Sequence, residues 1–192
     1  MSSLFLKFLK HPLQVGACCP SSAALCREIT SEIGIENAGQ VVELGPGTGA
    51  ITEAIYSKMA DKSRFAAVEL DETLAAEIEK RFEGITVFRG CASQLENMLN
   101  AKGLPKADVV ISSLPFAIFP EELQEKILKG VIRGLAPGGV FTTFTYLQGA
   151  ILPAGIRFKR KLKENFSEVH TGSVVWGNMP PAFVYRCRKF EE

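Results

Sequence analysis

Three glycines spaced two residues apart occur at Gly45, Gly47 and Gly49 in the stretch VVELGPGTGAITEAI, directly after an apolar run that carries Glu43. Glycine has no Cβ, so this spacing permits a tight turn that a ligand can approach closely, and the helical pattern that follows offers free N–H groups. The motif differs from the G-x-G-x-x-G of dinucleotide binders and lacks the Gly-Lys-Ser/Thr of a P-loop. For the glycines alone, a purely structural turn is the alternative interpretation.

An acidic residue strengthens the ligand hypothesis. Glu69 ends a second apolar run, RFAAVEL, twenty residues after Gly49. At the end of the second strand of a doubly wound sheet, an acidic side chain can accept both hydroxyls of a ribose. Taken alone, Glu69 has the simpler interpretation of a solvated strand end. The glycine turn and Glu69 together predict a site for a ligand that contains a ribose.

The segments around these residues alternate between strand and helix patterns. The predicted strands are QVVEL (40–44), RFAAVEL (64–70), ITVFRG (85–90), ADVVISSL (107–114) and GGVFTTFTY (138–146). The predicted helices are AITEAIYSKMA (50–60), DETLAAEIEKRF (71–82) with Asp71 as its N-cap, SQLENMLN (93–100) and PEELQEKILKGVIRGL (120–135). SEVHTGSVVWGN and PAFVYRCRKF add two β-rich segments with no helix between them. The sequence therefore predicts an α/β fold with a mostly parallel, doubly wound, seven-stranded sheet that ends in an antiparallel C-terminal strand pair.

Length and composition limit the class of protein. The 192 residues are predicted to form a single domain, with 1–35 as an N-terminal helical cap and 36–192 as the core. A net charge of +1 argues against a protein that grips nucleic acid through its phosphates. The five cysteines form no CxxC pair and only two histidines occur, so no metal site is predicted. Lys7 and Lys10 interrupt the N-terminal apolar run, which predicts a cytoplasmic protein without a signal peptide or a membrane span.

The motifs ELGPGTG and VELD together resemble those of class I S-adenosylmethionine-dependent methyltransferases, with their Rossmann-like fold. GACCPSSAAL, SSLPF and WGNMPPAFVYRCRK extend the resemblance over nearly the whole chain, to the small bacterial phospholipid N-methyltransferases. The rRNA adenine dimethyltransferases share the core and a related Asn-Leu-Pro-aromatic motif. The resemblance implies an enzyme that uses S-adenosyl-L-methionine, releases S-adenosyl-L-homocysteine, and methylates the amine of a phospholipid such as phosphatidylethanolamine.

The resemblance also implies a set of residues for the cofactor. The glycines would line its methionine and ribose parts, and Glu43 would orient the methionine amino group or the loop. Cys91 stands where many relatives have Asp; because a thiol is a poor acceptor, adenine recognition would fall to the backbone near Ala92. The implied cofactor-binding residues are Glu43, Gly45, Pro46, Gly47, Thr48, Gly49, Glu69, Leu70, Cys91, Ala92 and Ser113.

The segment SSLPF is implied to hold the methyl acceptor, with Ser113 in the place of the Asn of the adenine-methylating relatives. An alkylammonium must lose a proton before it attacks a methyl group, and the acceptor could be a Ser112 or Ser113 carbonyl or a tyrosine. Phe116 and Phe119 are predicted to form an aromatic wall, with burial in the core as the alternative. The implied catalytic residues are Ser112, Ser113, Leu114, Pro115, Phe116, Tyr146 and Tyr185.

Two segments suggest a membrane partner. SSLFLKFLKH places Leu4, Phe5, Phe8 and Leu9 on one helical stripe, and GIRFKRKLKENF mixes basic and apolar residues. Such amphipathic helices are typical of membrane surfaces, although a helix packed over the cofactor and a solvated connection are the alternatives. We therefore expect a peripheral protein at the inner face of the membrane, with an amine-bearing, anionic phospholipid as its partner and no nucleic acid. The alternative functions are an rRNA adenine N6-methyltransferase and a non-catalytic module that binds the cofactor or the membrane.

Overall fold

The computed structural model describes residues 21–192, so the predicted N-terminal stripe lies outside the described residues. The helices are α1 Ala23–Ile29, α2 Ala50–Lys58, α3 Glu72–Arg81, α4 Leu95–Ala101, α5 Glu121–Gly134, α6 Leu147–Ala150 and α7 Pro153–Asn165. The strands are β1 Val41–Leu44, β2 Phe65–Glu69, β3 Thr86–Arg89, β4 Ala107–Ser112, β5 Leu135–Tyr146, β6 Glu168–Thr171 and β7 Ala182–Arg188. Short 3-10 turns occur at Ile35–Asn37, Lys62–Arg64, Ala92–Gln94 and Phe116–Ile118.

The strands form one seven-stranded sheet in the order β3-β2-β1-β4-β5-β7-β6. β1 to β5 are parallel, and β7 runs antiparallel to both β5 and β6. The predicted α/β fold with its antiparallel C-terminal pair is confirmed. The strand order reverses between β1 and β4, and ligands of such sheets bind outside the carboxyl ends of the strands at this point.

Helices cover both faces of the sheet, which explains why β1 and β2 are buried along their whole length. α4, α5 and α7 pack on one face through residues such as Leu95, Ile127 and Phe158. α1 and α2 pack on the other face through residues such as Ile29 and Ile55. The loops that follow the parallel strands lie beyond this buried layer, at the carboxyl edge of the sheet.

Helix α3 begins where the sequence predicts. The Asp71 carboxylate accepts the N–H groups of Thr73 and Leu74 at 2.9 and 3.0 Å, which satisfies two donors of the first turn. β5, in contrast, begins at Leu135 rather than at 138. The pairing of β4 with β5 shifts register between Ala107 and Val109, so the sheet absorbs the predicted turn APGG as an irregularity.

Helix α7 contains the basic amphipathic segment, and most of its apolar residues face the core, whereas Ile156 is exposed. Phe158 and Leu162 are fully buried in the core. Lys161 is also buried, and its ammonium pairs with Glu125 at 2.6 Å and with Glu121 at 3.1 Å. Phe158 and Leu162 therefore belong to the core and not to a membrane surface, whereas a membrane role for the exposed side of the segment stays a prediction. Within residues 21–192, no helix is long and apolar enough to span a membrane.

Candidate active site

The glycine turn joins β1 to α2 at the carboxyl edge of the sheet. Gly45, Gly47 and Gly49 have φ of 69°, 54° and 85°, which residues with a Cβ rarely adopt. A Cβ on Gly49 would lie 3.0 Å from both Arg81 Nη1 and Ile78 Cδ1, so this glycine permits close packing on α3. A Cβ on Gly47 would meet no atom within 4 Å. The open side of the turn is therefore at Gly47, where a ligand can approach the backbone.

Glu69 is part of the same turn. Its carboxylate accepts the N–H of Gly47 at 3.2 Å, that of Leu70 at 2.8 Å and that of Asp71 at 3.1 Å. A carboxylate has about four lone-pair sites, so roughly one is left for a ribose hydroxyl unless a backbone donor is released. The contact with Gly47 is the longest of the three. The structure thus brings Glu69 and the glycine turn together, as the sequence predicts.

Glu43 lies fully buried beneath the turn, at the end of β1. One carboxylate oxygen accepts the Thr52 hydroxyl at 2.7 Å, and the other has no partner among residues 21–192. Burial raises the pKa of Glu43 to about 8, against the effect of the Thr52 bond and with a smaller contribution from the charge of Glu69. A buried carboxylate oxygen without a partner is stabilised by a nearby cation. The site therefore fits a cofactor that carries positive charge and a ribose.

The residues predicted around the adenine follow β2 and β3. The Gly90 N–H donates to the Glu69 carbonyl at 2.8 Å, which brings the ends of these strands together. Cys91 is half-buried, and its sulfur accepts the Ser93 hydroxyl at 3.2 Å. Among the other predicted cofactor residues, Leu70 is half-buried, Pro46 and Ala92 are buried, and Thr48 is exposed with its carbonyl bound by Arg81 at 2.7 Å.

The SSLPF loop touches the glycine turn directly. The Ser113 N–H donates to the Leu44 carbonyl at 2.9 Å, and the Ser112 hydroxyl accepts the Leu114 N–H at 3.2 Å. Leu114 lies over Gly45, because a Cβ at that glycine would be 2.7 Å from Leu114 Cδ2. The absence of a side chain at Gly45 thus lets the predicted acceptor loop pack on the predicted cofactor turn.

The predicted aromatic wall lies in the core. The ring of Phe116 is buried and stacks on Phe158, with the centroids 4.2 Å apart and an interplanar angle of 7°. Phe119 is buried as well and packs edge-on against Phe116 at 5.8 Å. The interpretation of these rings as an open wall is therefore wrong, because both fill the space between the sheet and α7. What Pro115 and Phe116 provide at the site is the backbone of the loop.

The two tyrosines differ from each other. Tyr185 is buried, and this burial, with a smaller contribution from Cys187, raises the pKa of its phenol to about 12. Tyr185 therefore stays protonated at neutral pH and is a poor proton acceptor. Tyr146 is half-buried at the end of β5 and packs edge-on against Phe144 at 5.5 Å. In the sheet, Tyr185 lies opposite Thr143, which lies opposite Ser112, so these three side chains share one face.

Sequence reasoning missed Gln124. This residue of α5 is fully buried, and its amide donates to the Phe116 carbonyl at 2.7 Å and to the Ala154 carbonyl at 3.0 Å. It therefore joins the acceptor loop to the first turn of α7. The available signal was a single polar side chain on an otherwise apolar stripe of α5, between Leu123 and Ile127.

Replacing Glu69 with glutamine is expected to weaken S-adenosyl-L-methionine binding by ten- to a hundredfold. Loss of a charge-assisted hydrogen bond costs about 1.5–3 kcal/mol, and about 1.4 kcal/mol is one decade of affinity. Titration calorimetry measures the change. Glu72→Gln, an exposed substitution in the first turn of α3, is the matched control. Equal affinities of the two variants would remove Glu69 from the cofactor site.

The fold and the site define a class I methyltransferase that uses S-adenosyl-L-methionine as its cofactor. Residues 41–139 match the family described as a methyltransferase domain. The ornithine lipid N-methyltransferase of Singulisphaera acidiphila is 36% identical over 98% of this chain and 96% of its own length. The chain therefore belongs to the methyltransferase domain family, and the resemblance to class I methyltransferases found in the sequence is confirmed.

Two further comparisons agree with this assignment. The ribosomal RNA small subunit methyltransferase A of Thermotoga petrophila is 29% identical over 65% of this chain, which spans 44% of that protein. An O-methyltransferase from Bacillus cereus, solved in complex with SAH, has a TM-score of 0.70 and 14% identity. The match covers 98% of this chain and 92% of the Bacillus cereus chain, and it concerns the fold alone.

Proposed function

We propose that this methyltransferase transfers methyl groups to the amine of a lipid head group at a membrane surface. The observation that carries the proposal is the match over nearly the full length of both chains to an ornithine lipid N-methyltransferase. The match to the rRNA enzyme covers 65% of this chain. Ornithine lipids and phosphatidylethanolamine both present an aliphatic amine, so both are candidate acceptors.

The chemistry requires little beyond placement, because the bound cofactor supplies a methyl group that its sulfonium already activates. The chain must hold a neutral amine in line with that group. Within the acceptor loop, the carbonyls of Leu114, Pro115 and Phe116 accept N–H groups of the loop itself. We assign the role of orienting the amine to the Ser113 carbonyl and hydroxyl. Ser113 is half-buried directly beside Leu114, which packs on the glycine turn.

The test compares three acceptors with the purified protein and radiolabelled S-adenosyl-L-methionine. Vesicles with an ornithine lipid, vesicles with phosphatidylethanolamine and an rRNA fragment are offered separately. Label is expected in a lipid amine and absent from the RNA. In cells that express the protein, lipid extracts should contain the corresponding N-methylated lipid. Gly47→Asp is the inactive control, because its side chain occupies the open side of the turn. Label in the RNA alone would refute the lipid assignment and support the adenine methyltransferase alternative.

A further inference from the structure

Several large apolar side chains are exposed at the carboxyl edge of the sheet. Ile151 is 76% exposed, Ile156 60%, Trp176 72% and Met179 78%, and Leu152 is exposed to a smaller degree. The short helix α6 follows β5 directly, Ile151 and Leu152 connect it to α7, and Ile156 lies in the first turn of α7. Trp176 and Met179 lie in the connection from β6 to β7 at the same edge, because β7 begins opposite the end of β5. We call these five residues the edge patch.

Hydrogen bonds hold the two parts of the edge patch in place. The Leu147 N–H donates to the Pro181 carbonyl at 3.0 Å, which joins the start of α6 to the β6–β7 connection. Within that connection, the buried Asn178 donates to the Pro180 carbonyl at 2.7 Å and accepts the Ser22 N–H at 2.9 Å. The exposed side chains of Trp176 and Met179 therefore extend from a backbone that is fixed on both sides.

Basic residues continue the exposed stripe of α7 beyond the edge patch. Lys159, Arg160 and Lys163 follow Ile156 at spacings of three, four and seven residues, which places them on the same side of the helix, and all three are exposed. Arg160 also pairs with Glu164 at 3.5 Å. α7 runs away from the carboxyl edge, so these charges begin about one helical turn, roughly 5 Å, behind Ile156.

The edge patch also adjoins the acceptor loop. A Cβ on Gly149 of α6 would lie 3.0 Å from the Cβ of Ala117, which follows SSLPF. A surface that covers the edge patch would therefore lie beside the loop that we assign to the amine.

We propose that the edge patch is the surface by which the protein docks on an anionic lipid bilayer. This inference rests on the proposed function and adds the face that meets the membrane. Ile151, Ile156 and Met179 enter the boundary of the acyl chains, and Trp176 lies at the level of the head groups, where tryptophan is enriched in membrane proteins. Lys159 and Arg160, one turn further back, meet the lipid phosphates.

The single tryptophan of the chain is the reporter for the test. Because Trp176 is exposed, its emission in buffer should be that of an indole in water. Vesicles of phosphatidylcholine with phosphatidylglycerol should shift the emission to shorter wavelength, and phosphatidylcholine alone should shift it far less. An emission that is already at short wavelength in buffer would show that the chain itself covers Trp176, and would overturn the proposal. A shift of the emission to shorter wavelength on concentrating the protein without vesicles would show that the edge patch binds a second copy of the chain. That outcome would also overturn the proposal.

Variants test which side chains carry the binding. Ile151→Ser combined with Ile156→Ser should lower vesicle partitioning about a hundredfold, since each apolar side chain withdrawn from the bilayer is worth about a decade. Lys159→Glu combined with Arg160→Glu should remove the preference for anionic vesicles. Phe190→Ser is the matched control, because Phe190 is 51% exposed but follows the end of β7 at the opposite edge of the sheet. Unchanged partitioning of the isoleucine variant, or an equal loss in the control, would overturn the proposal.

Methyl transfer to a lipid in detergent micelles, where no bilayer is present, tests the proposed function separately from the proposed docking surface. With an ornithine lipid in detergent micelles, the isoleucine variant should transfer methyl groups as the wild type does. Normal vesicle binding without methylation of any lipid amine would refute the proposed function and leave the docking surface supported. Methylation of micellar lipid without any vesicle binding would refute the docking surface and leave the proposed function supported.

Discussion

Replacing Glu43 with glutamine should stabilise the fold, by an amount that grows as the pH rises. Burial raises the pKa of Glu43 from 4.5 to about 8, so the folded state holds a proton that the unfolded state releases above its lower pKa. The stability tied to this proton is fully present below about pH 4.5 and is lost as the pH rises through about 8. Glutamine is neutral at every pH. The gain in the free energy of unfolding should therefore reach a few kcal/mol at high pH, since each pKa unit corresponds to about 1.4 kcal/mol.

Urea denaturation at about pH 6 and about pH 9 measures this gain, which follows from the linkage between proton binding and stability. The gap between Glu43→Gln and the wild type should widen from the lower to the higher pH. Glu77→Gln removes an exposed carboxylate on α3 and should show no such widening. If the gap for Glu43→Gln stays constant, the carboxyl group is not the buried acid described above.

The same substitution should weaken cofactor binding. Near neutral pH the folded apoprotein holds Glu43 mostly protonated, and a positive charge beside it favours the carboxylate. Binding of S-adenosyl-L-methionine should therefore release a fraction of a proton. Calorimetry in two buffers of different ionisation enthalpy detects this release, which Glu43→Gln should abolish.

Replacing Gln124 with leucine should destabilise the fold and impair methyl transfer together. The substitution removes both donors that reach the Phe116 and Ala154 carbonyls. The Phe116 carbonyl keeps the Phe119 N–H as a donor, so the cost is that of two lost hydrogen bonds at about 0.5–1.5 kcal/mol each, on the order of 1–3 kcal/mol in the free energy of unfolding. Gln148→Leu, at an exposed position of α6, is the matched control and should change stability by less than about 0.5 kcal/mol.

A positioning role for Gln124 has a kinetic signature of its own. In variants that remain folded at low temperature, kcat for the lipid amine should fall while the Kd for S-adenosyl-L-methionine stays near the wild-type value, because the released carbonyls belong to the acceptor side. An equal loss of cofactor affinity would show that the residue supports the whole core. Gln124→Asn keeps the amide but shortens its reach, so a partial recovery of kcat is expected.

The fold could be predicted because local patterns determine it. Each parallel strand is a short apolar run, and Asp71 and Pro120 mark the starts of α3 and α5. The sequence also predicted the glycine turn and the acidic strand end, because Gly45 and Gly47 adopt backbone conformations with positive φ and Glu69 contacts the N–H of Gly47; their role in binding the cofactor stays a prediction.

The residues predicted on the acceptor side were harder to predict, because their roles depend on whether other parts of the protein bury their side chains. Periodicity identifies the apolar face of α7, but it does not say whether a bilayer or the protein covers Phe158. For the same reason the sequence does not distinguish an exposed aromatic wall from the core for Phe116, whose ring is buried in the core. Gln124 contacts residues eight and thirty positions away in the chain, and no local pattern records such pairs.

The contact between Leu114 and Gly45 also bears on how such enzymes acquire new substrates. The residues predicted to bind the cofactor lie at the ends of β1, β2 and β3, whereas the loop predicted to hold the acceptor follows β4 on the other side of that contact. Selection can therefore alter a position such as Ala117 while the residues predicted to bind the cofactor stay unchanged. A mutant library that keeps Gly45, Ser113 and Leu114 fixed while varying Ala117 would test whether other amines are accepted by a protein that still binds S-adenosyl-L-methionine.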